Sequence, residues 1–274
     1  MTRTIEPADS PDGPFVASVR PVLDALEPLV RGRMASRSAR DGPFVLGITG
    51  GVGAGKSTMA RRLARLLAAA DCRPQVEVVC TDGFLLPNAE LEARGLLERK
   101  GFPDSYDHRS LVGFLTALGS GQSGLAVPRY SHLRYDVVDE VQIVDPCDVV
   151  VLEGLHLLAP PPGPVGPGPE PSVRDFVHYA LYLDAEADAL RQWSIERATD
   201  LAAATTGPLR HDAHPYLRLE PSALRQLVAG AWRRINEPNL REHIVPTRAL
   251  ADAVVVFDRG HRVTEVSFSA PETE

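Results

Sequence analysis

The apolar positions of this chain fall into short dense runs separated by stretches at helical spacing. The dense runs are "PFVLGIT" (43–49), "VEVVC" (76–80), "DVVVLEG" (148–154), "HYALYLD" (178–184) and "ADAVVVFD" (251–258). Runs of this length read as strands, and those without polar alternation read as strands covered on both faces. Strands alternating with helical segments imply crossover connections and a parallel sheet. The pattern predicts an α/β fold with a mainly parallel central sheet and helices on both sides.

Ahead of the first strand, Phe15, Val19, Val22, Leu23, Leu26 and Val30 recur at helical spacing. They predict an amphipathic helix packed on the sheet and interrupted by Pro21 and Pro28. Residues 1–14 are polar with three prolines and read as a loose tail, which leaves 15–274 as a single domain. The Pro/Gly-rich stretch "APPPGPVGPGPEP" (159–171) cannot continue a helix or a central strand and reads as a surface loop within it.

Composition narrows the partners. The chain has 274 residues, 44% of them hydrophobic, and a formal net charge of -7. That is enough apolar material for a core, and the acidic balance argues against nucleic acid or an anionic membrane as partner. Three cysteines, Cys72, Cys80 and Cys147, without metal-ligand spacing suggest neither a disulfide framework nor a zinc site. The N-terminus has no apolar signal region, and no run approaches the roughly 20 residues that span a bilayer. A cytoplasmic protein acting on small solutes is the expectation.

Chemistry enters at "GGVGAGKS", Gly50 to Ser57, which satisfies G-x-x-x-x-G-K-[ST] between a predicted strand and the predicted helix "KSTMARRLARLLAAA". Gly50, Gly51, Val52, Gly53, Ala54 and Gly55 would form a loop whose N–H groups point inward at phosphates, with the helix dipole behind them. Lys56 would reach the β- and γ-phosphates, and the Ser57 hydroxyl would ligate Mg²⁺. The expected fold is therefore a P-loop NTPase-type three-layer sandwich binding ATP. No N/T-K-x-D motif for guanine recognition occurs, and "LGSGQ" (118–122) reads as a helix end with glycine caps rather than a transporter signature.

Two carboxylates end apolar runs. Asp82 follows "VEVVC" and Glu153 follows "DVVVL", so both would sit at the strand ends that open onto a ligand crevice. Asp82 reads either as the group that orients an acceptor hydroxyl and takes its proton, or as a turn former before Gly83. Glu153 reads either as a group near Mg²⁺ or as a buried structural acid.

Six segments, "GGVGAGKST", "TDGFLLPN", "RGLLERKGFPDSYD", "PRYSHLRYDVV", "LEGLHLL" and "INEPNLREHIVPTRA", together resemble the type I (bacterial) pantothenate kinases over about residues 44–268. The resemblance implies cytoplasmic homodimers that transfer the γ-phosphoryl of ATP to the terminal hydroxyl of pantothenate, the first step of coenzyme A synthesis. It implies Lys56, Ser57 and Thr58 at ATP and Mg²⁺, Asp82 as base and Glu153 beside the metal. Arg61 falls near the phosphates, His261 near adenine, and Tyr130, His132, Arg197, Tyr216 and Asn236 at pantothenate. Arg197 would steady a carboxylate or developing phosphate charge. Dimerisation would run through a helix in which Leu111, Phe114, Leu115 and Leu118 form a stripe, although a core-facing stripe reads identically.

Departures gather in a lid-like segment, 196–220, and the helix entering it. Where the family has mostly aromatics, this chain has Ser194, Ala198, Leu201, Thr206 and Ala213, while Arg210, His211, His214 and Arg218 add cationic character. Two outcomes follow: a pantothenate kinase with weaker distal contacts and altered coenzyme A feedback, or a paralogue acting on a nucleoside, a sugar phosphate or a hydroxy acid. A nucleotide-binding regulator or pseudokinase would be marked by loss of Lys56, Asp82 or Glu153, and all three are present.

Overall fold

Seven consecutive buried residues form β1 (Phe44–Gly50), the strand on which the rest is laid. The computed structural model describes residues 13–38, 41–160 and 171–269. In chain order the elements are α1 (Gly13–Ser36), β1, α2 (Lys56–Ala68), β2 (Val76–Cys80), α3 (Asn88–Ala93), α4 (His108–Gly119), β3 (Leu125–Ser131), β4 (Asp136–Val144), β5 (Val149–Glu153), β6 (Tyr179–Asp184), α5 (Ala187–Ala204), α6 (Leu209–Asp212), α7 (Pro221–Ala231), β7 (Ala253–Phe257) and β8 (Val263–Phe268). Two π-helical turns, Trp232–Asn236 and Leu240–Ile244, follow α7.

The main sheet runs β2-β5-β1-β6-β7-β8, parallel except for antiparallel β8. From β1 the chain crosses to β2 on one side, and from β5 it crosses to β6 on the other, so the order reverses around β1. Ligands bind outside the carboxyl ends of strands at such a point. Register carries Glu153 level with Ile48 of β1 and with Cys80 of β2, which puts one acid at the crest and Asp82 just beyond it. Trp232, Leu46, Ile48, Leu152, Leu181 and Tyr182 are among the largest fully buried side chains.

α1 differs from expectation. It runs unbroken through Pro21 and Pro28, burying Val19, Val22, Leu23, Leu26 and Val30. Both prolines are exposed and seven residues apart, so they share the solvent face, where water can satisfy the carbonyls their missing N–H groups free. β2 also departs: only Val79 is fully buried, because β2 is a sheet edge rather than a strand covered on both faces. The two-stranded sheet β3-β4 reads poorly in sequence, since Pro128 interrupts β3 and the register shifts beside it.

Leu111, Phe114, Leu115 and Leu118 are all buried within this chain, so the stripe on α4 faces its own core. The helix ends at Gly119 and is closed by Gly121, φ +71°, with Gln122 N–H bonded to Ala117 O and Gly121 N–H to Leu118 O. Of the 1–14 tail, residues 13 and 14 begin α1 and the rest lies outside the described residues, as does most of the 159–171 loop. The lid-like segment starts inside α5, which is helical through Ala204.

Candidate active site

The loop between β1 and α2 has a reason for its glycines. A Cβ on Gly53, φ +86°, would lie 2.7 Å from Ser194 Oγ and 2.8 Å from the Leu190 carbonyl. The loop therefore rests against α5, which also carries Trp193 and Arg197. α2 starts at Lys56 with no side chain capping its first turn, so its N–H groups and dipole face the loop. Lys56 Nζ donates to the carbonyls of Gly50 at 3.1 Å and Gly51 at 2.9 Å. Burial pushes the Lys56 ammonium down from its ordinary range, and the charges of Glu153 and Asp82 oppose that.

Ser57 Oγ donates to Glu153 Oε1 at 2.6 Å, and the Glu153 carboxylate is buried. Beside it the Cys80 thiol is held up, first by burial and then by the charges of Asp82 and Glu153, so it stays protonated. A serine hydroxyl and a carboxylate oxygen together at the foot of a phosphate loop are hard donors of the kind Mg²⁺ takes, with phosphate and water completing the shell. Among the described residues no cluster of three or more His, Cys, Asp or Glu is placed to hold a metal. The donor set fits Mg²⁺.

Asp82 lies on the 3-10 turn Thr81–Phe84. The turn's bond runs from Leu85 N–H to the Asp82 carbonyl, leaving the carboxylate out of it. This turn is clamped from two sides: a Cβ on Gly83 would stand 1.8 Å from the Pro128 carbonyl, and one on Gly154 would stand 2.0 Å from Thr81 Oγ1. Tyr106 Oη donates to Asp82 Oδ1 at 3.4 Å.

Lys56, Ser57, Thr58, Arg61, Asp82, Tyr130, His132, Glu153, Arg197 and His261 line a single cleft of about 1040 Å³, together with Val52, Gly53 and Gly55. At one end His261, φ +59°, stacks on Trp193 with ring centroids 3.7 Å apart, and Trp193 Nε1 donates to the Arg259 carbonyl. That flat aromatic surface suits a base.

At the other end is an aromatic cluster around a lysine that the sequence reading passed over. Lys100 is buried, donates to Asn88 Oδ1 at 2.5 Å and to the Tyr135 carbonyl at 2.7 Å, and lies over the rings of Tyr130 and Tyr135 at 5.0 and 4.3 Å. Burial pushes it down to about 8, against the attraction of Asp136 and Asp82. His132 is held below its usual range by burial and the Arg197 charge, so it is a neutral imidazole. Tyr135 takes φ +57° and packs edge-on against Tyr130, His214 and Tyr216.

Two residues expected at the acceptor stand apart. Tyr216 does not line the cleft, but its hydroxyl donates to the His132 carbonyl at 3.4 Å and it closes the cluster from behind. Asn236 sits half-buried in the first π-helical turn, outside the lining. The five substituted positions also read differently in space. Ser194 is buried between α5 and the phosphate loop, with Oγ donating to the Leu190 carbonyl, and Ala198, Leu201, Thr206 and Ala213 do not line the cleft. Of the clustered tyrosines Tyr130 reaches the cleft, with Tyr135 packed against it and Tyr216 against Tyr135. Arg218 is spent on the carbonyls of His211 and Ala213. The segment 209–218 docks on the β3-β4 turn through His214 N–H to the Leu133 carbonyl and an Arg134–Asp212 ion pair at 3.7 Å.

Residues 45–202 match the family model described as Phosphoribulokinase / Uridine kinase family. The chain is 44% identical over 230 residues to the pantothenate kinase of Clavibacter sepedonicus, an alignment covering 83% of this chain and 70% of that protein. To the pantothenate kinase of Brucella abortus (strain S19) it is 41% identical over 226 residues, covering 82% and 70%. The solved D-glycerate 3-kinase from Cryptococcus neoformans var. grubii superimposes with a TM-score of 0.62 over 92% of this chain and 99% of that one, at 14% identity, a likeness of fold alone.

Proposed function

That this chain belongs to the phosphoribulokinase/uridine kinase family, among its pantothenate kinases, is the premise from which we propose its reaction: transfer of the γ-phosphoryl group of ATP to the terminal hydroxyl of pantothenate, giving 4'-phosphopantothenate. The observation that carries it is the position of Asp82, on a clamped turn between the phosphate loop and the cluster around Lys100, Tyr130 and His132.

Phosphoryl transfer asks the protein mainly for positioning and charge. The loop N–H groups and Lys56 hold the β- and γ-phosphates. Asp82 accepts the hydrogen bond of the acceptor hydroxyl and takes its proton as the O–P bond forms and the bond to ADP breaks. Arg197, exposed at the cleft mouth, meets charge on the equatorial oxygens. Ser57 and Glu153 would hold Mg²⁺, which when bound neutralises phosphate charge. The neutral His132 and the Tyr130 hydroxyl offer hydrogen bonds to an acceptor that carries a carboxylate, an amide and hydroxyls, and Lys100 sets the Tyr130 ring from behind.

Incubation of the purified protein with ATP, Mg²⁺ and each of pantothenate, a nucleoside, a sugar phosphate and a hydroxy acid tests this. Phosphopantothenate should be the main product. Turnover confined to another alcohol would replace pantothenate as acceptor.

A further inference from the structure

We propose that Tyr106 is a positioning residue for phosphoryl transfer, occupying one oxygen of Asp82 so that the other is presented to the acceptor hydroxyl. This rests on the reading of Asp82 as the base.

Three observations carry it. First, Tyr106 is locked to the Asp82 turn by backbone: Leu86 N–H bonds to the Ser105 carbonyl at 2.9 Å, Asp107 N–H bonds to the Phe84 carbonyl at 2.8 Å, and Leu85 pairs with Tyr106 as an isolated antiparallel bridge. The phenol therefore moves with the turn that carries the carboxylate. Second, its ring is set from behind. His156 meets it edge-on at 5.8 Å, and His156 Nε2 donates to the Gly101 carbonyl at 2.7 Å, an acceptor shared with Asn239 Nδ2. Third, the ring does not line the reaction cleft, so the Tyr106 hydroxyl reaches the chemistry through Asp82.

A carboxylate free to spin about its terminal torsion presents its oxygens in a broad range of directions. A buried donor on Oδ1 restricts that range and leaves the lone pairs of Oδ2 for the acceptor, which is positioning achieved before substrate arrives. Burial and the Asp82 charge both hold the Tyr106 phenol well above its ordinary range, so it remains a donor throughout. "KGFPDSYD" thereby has a mechanical role: its Tyr106 reaches the Asp82 carboxylate, while its Lys100 anchors to Asn88 and the Tyr135 carbonyl.

Tyr106→Phe deletes only the hydroxyl. On whichever acceptor the wild type phosphorylates, kcat should fall about 10-fold, the value of a lost hydrogen bond, while KM for ATP stays unchanged. In an Asp82→Ala background, which removes the acceptor oxygen and is followed by product formed over long incubation, the same change should cost less than about 2-fold, because the coupled partner is gone. A merely structural tyrosine would cost the same factor in both backgrounds and would lower the melting temperature. Wild-type kcat in Tyr106→Phe, or equal losses in the two backgrounds, overturns the proposal. Absence of phosphopantothenate from the wild type, with another acceptor turned over, would count instead against the assigned substrate.

Discussion

Ser57 Oγ and Glu153 Oε1 are 2.6 Å apart, one from the first turn of α2 and the other from the last residue of β5. A buried carboxylate is costly unless paired, and here it receives a hydroxyl and stands near the Lys56 ammonium. Glu153→Gln keeps the shape and removes the charge. It should lower kcat by about 100-fold, in line with the loss of a preorganised charge in a water-poor site, and raise the Mg²⁺ concentration for half-maximal rate. Steady-state rates across a Mg²⁺ titration check this.

Lys100 links pH to acceptor binding. As pH rises through about 8 the amine loses its proton and its hold on the Tyr130 and Tyr135 rings, so KM for pantothenate should climb above pH 8 with little change in kcat. Lys100→Arg should abolish that climb, because a guanidinium stays charged. Stability runs the other way. Between about 8 and 10.5 the unfolded chain holds this proton and the folded one does not, so the Lys100 contribution to stability rises with pH across that window.

His156 predicts an acid effect. Burial holds it down to about 4, the hydrogen bond to the Gly101 carbonyl opposing, against an ordinary value of 6.5. Between 6.5 and 4 the unfolded chain binds a proton that the folded one refuses, so stability falls as pH falls, by up to about 3 kcal/mol from this group. His156→Asn should flatten the difference in melting temperature between pH 7 and pH 4.5, read by calorimetry.

The clamp on the Asp82 turn can be broken without touching the phosphate loop. A methyl at Gly83 would meet backbone, the Pro128 carbonyl, at 1.8 Å, so the turn or the β3-β4 sheet must move. Gly83→Ala should retain ATP binding by calorimetry while acceptor phosphorylation drops by about 100-fold, the scale of a misplacement near 1 Å.

Legibility followed the strength of local patterns. β1, β5 and β6 are buried along almost their whole lengths, and unbroken apolar runs announce such strands. The placement of the phosphate loop, Asp82 and Glu153 at strand ends was readable because each closes an apolar run. The β3-β4 sheet was not, because Pro128 and a register shift blur its alternation. Lys100 was missed because a lysine in a loop ordinarily reads as solvated, and only tertiary packing puts two tyrosine rings beneath it. Pro21 and Pro28 misled for the opposite reason: their local rule is strong, yet their common exposed face leaves the helix intact. Ser194 aligned with a pocket position but packs on Gly53, a contact no linear spacing reveals.

The central claim is that Asp82 serves as the base for transfer to pantothenate in this cleft. Its most direct test is ATP-dependent formation of phosphopantothenate by the wild type and by Asp82→Asn, with the phosphorylated acceptor quantified rather than ATP loss. The account predicts robust product from the wild type and its near disappearance in the variant while ATP binding persists. Comparable product from both proteins would contradict it.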